Sequence, residues 1–327
     1  MNRGAPVHRS SLIVHLSSVV GYDAPVLIKP RALPVSAHVA VLAPAGPSKL
    51  ENIIEGARVL EARGHRVTLA NNIAHRHRGY LAGSDDERAD ELNRFLRDPQ
   101  YDAYFFARGG YGAMRILDRI DYAAIAANPR PIVGFSDITA IHQAMATQCS
   151  VAGLHGPMLN LDFRNGMSPQ HEEWFWSMLR GDAPLHHVFT QEQVMVEGDA
   201  EGILFGGCLA LTAALMGTPY DFWLDGGIWF WEDVDEPVYR IDRMLTHLRL
   251  SGRMPRIRGV VIGALKDCGE EPEMLSLLHD TFGSLNIPVV RNLPFGHHGN
   301  NLLMPIGTKV RLSTTDMRLT ISEPAVA

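Results

Sequence analysis

Hydrophobic and polar positions after residue 37 alternate between short apolar runs and longer stretches with helical spacing. The run His38–Ala43 predicts a strand that ends in a loop at Pro44. Apolar residues at helical spacing then predict a helix over 48–63, with Ser48 as its N-terminal cap. Further strands are predicted at 65–69, 102–107 and 131–134, and further helices at 85–97, 111–117 and 137–148. Because strands and helices alternate, this half predicts a parallel sheet with helices on both faces.

The second half has a different pattern of shorter strands separated by glycines. Between 166 and 198 the periodicity weakens, which predicts a helix at 170–179 followed by a linker. The strands predicted beyond it are 201–204, 227–231, 259–264, 289–292, 309–313 and 317–321, with helices near 208–216 and 239–250. The pattern predicts an α/β protein with an N-terminal domain at 37–165, a linker at 166–198 and a smaller, β-rich C-terminal domain at 199–327.

The first 36 residues contain basic positions followed by an apolar run, which superficially resembles a signal peptide. His15, Ser17 and Ser18 interrupt the run, and no small-residue cleavage site follows it. No segment of the chain reaches the roughly 18 uncharged apolar residues that would span a bilayer. We therefore expect residues 1–36 to be a poorly ordered extension of a protein that does not enter the membrane.

Composition narrows the possible partners and the compartment. The net charge of −6 is spread along the chain without a basic stripe, which argues against nucleic acid or an anionic membrane as the main partner. The three cysteines are isolated, so they form neither a disulfide framework nor a zinc knuckle. A reducing compartment, the cytoplasm, is expected. No HExxH motif is present and no metal site is predicted.

Ser136 is the first candidate for chemistry, because it lies between a buried strand and a helix. A nucleophile on such a turn is exposed, and the amide of Asp137 would face a developing oxyanion. The alternative is that Ser136 only caps the helix. The turn also differs from the G-x-S-x-G elbow of α/β-hydrolases, because Ile138 replaces the second glycine.

The glycine-rich stretch 107–112 (ARGGYG) is the second candidate. Glycines let the backbone approach a ligand closely, so the amide of Gly110 could complete an oxyanion hole. A tight turn or a weak phosphate loop are the alternatives. The stretch lacks the lysine of a P-loop and is not a convincing GxGxxG, which argues against nucleotide binding.

An acid and a base follow on the second half. Glu232 ends the apolar run 227–231, where a carboxylate needs a partner unless it points to water. His297 follows a predicted strand, and a histidine can move a proton near neutral pH, although the adjacent His298 could be the active one. Serine, acid and histidine in this order form a workable triad.

Seven motifs resemble those of the LD-carboxypeptidases over nearly the whole chain from His38. They are APAGP at 43–47, ARGGYG at 107–112, GFSD at 134–137, HGPM at 155–158, the stretches 205–221 and 231–248, and PFGHHGNNLLMPIG at 294–307.

The resemblance implies a fold and a set of catalytic roles. It implies a parallel α/β domain of Rossmann or flavodoxin type, a smaller β-rich domain, a cleft between them and a homodimer. The implied nucleophile is Ser136, the acid is Glu232 and the base is His297, and the oxyanion amides are those of Gly110 and Asp137. No metal or organic cofactor is implied. The N-terminal extension and the doubled histidine depart from the family pattern.

The implied reaction is hydrolysis of an L,D-peptide bond that releases terminal D-alanine from murein tetrapeptide during peptidoglycan recycling. Arg240 and Arg243 could bind a substrate carboxylate, although an ion pair is the more ordinary role for them. A related alternative is an immunity peptidase that cuts aminoacyl-nucleotide antibiotics, in which Trp223 or Trp229 could stack on a base. A binding protein without catalysis is the third alternative.

Overall fold

The computed structural model describes residues 26–327, which include the end of the predicted N-terminal extension. Residues 1–25 lie outside the described part. The expectation of poor order is wrong for residues 26–36, because Leu27 and Leu33 are buried there. The Ile28 amide also donates to the Ser150 carbonyl at 2.7 Å. This segment therefore packs as an integral part of the first half of the protein.

The described residues form two β-sheets flanked by eight α-helices, numbered in chain order. The strands are β1 (His38–Leu42), β2 (Arg66–Leu69), β3 (Ala103–Phe106), β4 (Ile132–Gly134), β5 (Leu154–His155), β6 (Leu185–Val188), β7 (Val194–Val196), β8 (Asp199–Cys208), β9 (Ile228–Val234), β10 (Gly259–Lys266), β11 (Val289–Val290), β12 (Met304–Pro305), β13 (Lys309–Ser313) and β14 (Arg318–Ile321). The helices are α1 (Leu50–Ala62), α2 (Asp85–Arg97), α3 (Tyr122–Ala127), α4 (Thr139–Gln148), α5 (Pro169–Arg180), α6 (Leu209–Leu215), α7 (Val238–Leu250) and α8 (Glu271–Phe282). The α/β fold class predicted from the sequence is confirmed.

The first sheet has the strand order β12-β5-β4-β3-β1-β2. Strands β1 to β5 pair in parallel, as the alternation of strands and helices predicts. The edge strand β12 pairs antiparallel with β5, with Met304 opposite His155. It comes from a much later part of the chain than the other strands of this sheet. This pairing carries the preceding loop, residues 294–303, across to the carboxyl ends of β4 and β5.

Most predicted helices lie within two residues of the observed bounds, but the one predicted at 111–117 is a 3₁₀ helix (Ala113–Arg119), and α3 was not predicted. Helix α2 has the predicted bounds, and its start is fixed by a capping box between Ser84 and Glu87. Helix α1 begins at Leu50 without a side-chain cap, so the prediction that Ser48 caps it is wrong. The Ser48 hydroxyl is instead buried beneath the helix start.

The second sheet is mixed, with the order β6-β14-β13-β8-β9-β10-β11-β7. Its four central strands, β8 to β11, run parallel, and the outer strands pair antiparallel with them. Strands β6 and β7 lie within the stretch that the sequence predicts to be a linker, and α8 was not predicted. The two sheets share one continuous core of buried apolar side chains.

Candidate active site

Ser136 lies on a strained turn directly after β4. Its φ angle is +61°, in the left-handed region that non-glycine residues rarely adopt. The strand end is anchored beneath it, where the Nε2 atom of the buried His142 lies 2.9 Å from the Gly134 carbonyl oxygen. A short 3₁₀ turn (Ser136–Ile138) then leads into α4. The half-buried serine is therefore held at the carboxyl end of a parallel strand, where sites of such sheets form.

The glycine-rich loop after β3 packs directly against this turn. A Cβ atom on Gly109 would lie 2.8 Å from the Ser136 Cβ and 3.3 Å from the Asp137 amide nitrogen, so a side chain there would collide. Gly110 has a φ of +102°, which a glycine adopts without strain. The two segments that carry the predicted oxyanion amides, those of Gly110 and Asp137, are thus in contact.

The Asp137 side chain ties the turn to the glycine-rich loop. Its Oδ2 accepts a hydrogen bond from the Ala113 amide at 2.7 Å. Burial raises the pKa of Asp137 to about 6, against the opposing effects of this hydrogen bond and of Arg88. The carboxyl thus stabilises the loop through its hydrogen bond to Ala113.

Glu232 and His297 form a close pair between the sheets. His297 Nδ1 lies 2.6 Å from Glu232 Oε2, and the His297 amide donates to the same oxygen at 3.2 Å. Glu232 is fully buried at the end of β9, whereas His297 is partly exposed. Gly296 allows this approach, because a Cβ atom there would lie 2.3 Å from the Glu232 Cγ and its φ is +80°. The structure therefore gives Glu232 the partner that its burial requires.

His298 follows His297 in the chain and Asp233 follows Glu232, but neither takes part in the Glu232–His297 contact. His298 Nδ1 accepts from the Asn300 amide at 3.0 Å, so its ring bonds within its own loop. Asp233 accepts hydrogen bonds from the amides of Ala210 and Val234, both at 2.8 Å. Burial, and then the neighbouring Glu232, raise the pKa of Asp233 to about 6. The histidine in contact with the acid is His297.

A second histidine, His155, lies on the other side of Glu232. Its Nε2 is 3.9 Å from Glu232 Oε1, and both side chains are fully buried. Burial holds the pKa of His155 well below its ordinary value, and the nearby His142 and His297 act in the same direction. The HGPM motif contains this residue, but nothing in the sequence pattern assigned it a role. Its position at the end of β5 is the signal that could have indicated one.

A cavity of about 140 Å³ opens beside His297. It is lined by Phe135, Leu161, Asp162, Asn165, Lys266, His297, His298 and Gly299. Leu161 and Asp162 come from a short π-helix (Leu159–Phe163), an element that often marks functional positions. Burial raises the pKa of Asp162 to about 7, although its Oδ2 accepts from the Met158 amide at 2.8 Å. Three larger cavities elsewhere contain none of the predicted site residues.

One contact expected from the sequence is not made within residues 26–327. No hydrogen bond joins Ser136 to His297, although the Phe135 ring packs on the His297 ring with centroids 4.9 Å apart. Arg240 is exposed and pairs with Glu236 at 3.4 Å, as the ion-pair interpretation expects. Trp229 is fully buried, so it cannot stack on a nucleobase, and Trp223 packs edge-on against Phe205.

Membrane-spanning helices and clusters of metal ligands are both absent from the described residues. None of their helices is long and apolar enough to cross a bilayer. In the same part of the chain, no three histidine, cysteine or acidic side chains converge as metal ligands would.

Comparison with known proteins gives matches over both halves of the chain. Residues 39–156 match the model of the LD-carboxypeptidase N-terminal domain, and residues 201–312 match that of the C-terminal domain. A Streptomyces coelicolor protein with a carboxypeptidase name is 39% identical over 92% of this chain and 98% of its own length. The murein tetrapeptide carboxypeptidase of Pseudomonas aeruginosa is 30% identical over 87% of this chain and 96% of its own.

Solved structures show the same two-part fold. The muramoyltetrapeptide carboxypeptidase of Oxalobacter formigenes superposes with a TM-score of 0.78 and 29% identity, covering 88% of this chain and 99% of that one. The protein MccF, in complex with glutamyl sulfamoyl guanosine, superposes with a TM-score of 0.82 at 21% identity, covering 93% of this chain and all of that one. The second likeness concerns the fold alone.

Proposed function

The chain belongs to the LD-carboxypeptidase family of serine peptidases, and we propose that it releases terminal D-alanine from murein tetrapeptide by cutting an L,D-peptide bond. The observation that carries this proposal is the 2.6 Å contact between the buried Glu232 and His297, beside a cavity at the carboxyl end of the strand that presents Ser136. An acid and a base in contact beside this strand support the proposal, because the family's hydrolysis needs both.

In the proposed mechanism Ser136 is the nucleophile and His297 is the general base. Glu232 accepts a hydrogen bond from the Nδ1–H group of His297, which leaves Nε2 unprotonated and free to take the Ser136 hydroxyl proton. Oγ then attacks the carbonyl carbon of the L,D bond. The unliganded enzyme lacks a Ser136–His297 hydrogen bond, but such bonds often tighten only when substrate is bound.

The oxyanion would be stabilised by the amides of Gly110 and Asp137. Both amides belong to segments held in contact at Gly109, so they are arranged before the substrate arrives. Preorganised donors of this kind contribute most where charge develops in the transition state. His297 returns its proton to the leaving D-alanine amine, and water then clears the acyl-enzyme with His297 again as base. Because these groups supply nucleophile and proton transfer, the reaction calls for no metal or organic cofactor.

The terminal carboxylate of the substrate would be recognised by Lys266. Lys266 is the one lysine among the described residues that line the cavity, and no arginine lines it. Its ammonium group makes no ion pair in the described part of the chain. A carboxypeptidase has to distinguish a chain end from an internal peptide bond, and a cation beside the base can do so. We propose this residue in place of Arg240, which pairs with Glu236.

A second candidate function is hydrolysis of an aminoacyl-nucleotide antibiotic. The observation in its favour is the fold shared with MccF, and the self-immunity protein MccF of Escherichia coli is 23% identical over 86% of this chain and 91% of its own length. The burial of Trp229 removes one of the two aromatic residues that could have stacked on a base. We therefore place this function second, and the binding-protein alternative after it.

The test is mass-spectrometric detection of D-alanine released from purified murein tetrapeptide. Wild type and Ser136→Ala are compared, with Ser251→Ala, at the end of α7, as a serine control outside the site. Release by wild type and the control, but not by Ser136→Ala, supports the proposal. A tetrapeptide ending in L-alanine should remain intact.

Release by Ser136→Ala at the wild-type rate would contradict the assignment of the nucleophile. If wild type leaves the tetrapeptide intact but cuts an aminoacyl sulfamoyl nucleoside, the second candidate replaces the first. Homodimer formation and a cytoplasmic location complete the proposal. The homodimer is tested by light scattering of the protein as it elutes from a size-exclusion column. The location is tested by cell fractionation.

A further inference from the structure

Three buried polar atoms around Glu232 have no hydrogen-bond partner within residues 26–327. They are Glu232 Oε1 and both ring nitrogens of His155. An ionised carboxylate accepts hydrogen bonds at both oxygens, and leaving one buried oxygen unpaired is costly. Glu232 Oε2 is satisfied twice by His297, so the deficit lies on the oxygen that faces His155.

The surroundings of His155 are mainly aromatic. Its ring packs against the rings of Phe135, Phe230 and Phe295, with centroid distances of 6.0, 5.2 and 6.5 Å. These neighbours offer no acceptor for a ring N–H, whereas Glu232 Oε1 lies 3.9 Å from Nε2. A closure of about 1 Å, well within the reach of a χ rotation, would give an ordinary hydrogen-bond distance.

We propose that His155 is a positioning residue whose Nε2–H donates to Glu232 Oε1 in the working enzyme. The carboxylate is then held between two imidazoles, His155 on Oε1 and His297 on Oε2. This inference rests on the proposed role of the Glu232–His297 pair. His155 does not line the cavity, so it acts through Glu232 and does not touch the substrate.

The proposed bond has a consequence for the pH dependence of the reaction. A donor on Oε1 stabilises the negative carboxylate and so weakens proton uptake by the Glu232–His297 pair. Other titratable groups near the pair are His142 on α4, Asp162 on the π-helix, Cys208 at the end of β8, Asp233 on β9 and Cys268 after β10. The substitutions of His155 leave these side chains in place, so a shift of the acidic limb of the kcat–pH profile reports the loss of this donor.

Two substitutions separate the donor from the volume of the side chain. In His155→Gln the amide can reproduce an Nε2–H donor, whereas His155→Leu fills the space without one. We expect His155→Leu to lower kcat about 10- to 100-fold, the size of one hydrogen bond to a charged group, with KM within about 2-fold. The acidic limb of its kcat–pH profile should move to higher pH. His155→Gln should recover most of kcat, with the acidic limb at the wild-type pH.

The matched control is His187→Leu, which removes another buried histidine, on β6. It should lower the melting temperature without altering kcat or the pH profile. The proposal is overturned if His155→Leu keeps the wild-type kcat, or if the Leu and Gln variants lose activity equally with an unshifted limb.

A measurement on the wild-type protein decides the case even if a variant fails to fold. Nitrogen-15 NMR of labelled histidines reports which ring nitrogen carries the proton, and the His155 resonance is identified as the one missing from the spectrum of His155→Gln or His155→Leu, whichever variant folds. We expect a neutral ring protonated at Nε2 whose signal moves in Glu232→Gln. A ring protonated at Nδ1 would refute the proposal. Because this readout needs no substrate, its failure is distinguishable from absence of activity on murein tetrapeptide.

Discussion

Individual residues in and around the cavity combine backbone strain, burial and charge, and each has its own consequence. Ser136 is held at a positive φ, and the buried Glu232 lies 2.6 Å from His297 Nδ1. Lys266 makes no ion pair with another described residue, and Asp162 is a buried acid at the wall of the cavity. The last two lead to predictions that do not depend on the triad itself.

Lys266→Met should weaken binding of the tetrapeptide and leave the chemical step nearly intact. We expect KM to rise about 10- to 100-fold, because a hydrogen bond between two charged groups is lost in ground state and transition state alike. Lys309→Met, which removes a lysine paired with Glu201 on the second sheet, is the control. Steady-state kinetics with the free acid and with a C-terminal amide check the prediction. The variant should no longer prefer the acid, and an unchanged preference would contradict the role of Lys266.

Asp162→Asn should change how stability depends on pH. The pKa of Asp162 is raised by burial to about 7, so the protonated side chain stabilises the fold fully below about pH 4 and this contribution is lost as pH rises towards 7. The asparagine oxygen can still accept from the Met158 amide. We expect the variant to gain stability relative to wild type by a few kcal/mol at pH 8 and little at pH 4. Urea unfolding at both pH values measures the difference, and an equal effect at each would contradict it.

At the scale of elements, the site is built by a loop and a turn that interlock at glycine positions. Gly109 lies against Ser136, and its carbonyl accepts from the Gly46 amide at 3.0 Å. Beneath them the fully buried Arg88 of α2 donates to the carbonyls of Pro44 and Gly112, so that both loops share one anchor. The catalytic arrangement therefore depends on backbone contacts between elements as much as on the triad side chains.

Gly109→Ala should lower kcat/KM about 100-fold or more while the protein stays folded. The added methyl would lie 2.8 Å from the Ser136 Cβ and force the nucleophile to shift, and a displacement near 1 Å can cost about two orders of magnitude. Gly64→Ala is the control, because its φ of +88° makes the substitution strained while no atom lies within 4 Å of the new Cβ. It should lose about 1 kcal/mol of stability and keep its activity. Equal activity of the two variants would show that the contact does not position Ser136.

Sequence patterns predicted most of the longer elements, with α8 as an exception, and missed the shortest strands. Helix α2 has a capping signal and a full amphipathic period, so its bounds were predicted correctly. Strand β12 has two residues and therefore no detectable period, and its partner β5 lies about 150 positions earlier. The close pairing of Glu232 with His297 follows the motif resemblance, but His155 was missed because a buried histidine has no sequence signature. Only the fold reveals which carboxylate it faces.

At the scale of the whole molecule, the two sheets share one core. Buried side chains form a continuous cluster through both sheets, and the C-terminal residue Ala327 exchanges hydrogen bonds with Pro30 and Ala32. The predicted division at 166–198 is crossed by strands β6 and β7 of the second sheet. The domains proposed from the sequence would thus be closely interdependent.

Unfolding should accordingly occur in a single transition. Tryptophan fluorescence reports mainly on α5 and β9, which carry four of the five tryptophans, and far-UV circular dichroism reports on all elements. We expect the two urea midpoints to coincide, because a shared core couples the sheets. A fragment covering residues 26–165 should remain unfolded or aggregate when expressed alone. Separate midpoints, or a soluble folded fragment, would show that the halves are independent.

The late position of β12 also bears on when the enzyme becomes active during its synthesis. A ribosome completes β1 to β5, with the strained serine, long before it reaches residues 297–305. With the proposed roles, the nascent chain has a nucleophile without a base throughout that interval, and β5 has not yet paired with β12. On the proposed mechanism, hydrolytic activity arises only after residues 297–305 have been made, so a chain that stops before them is inert towards the peptides around it.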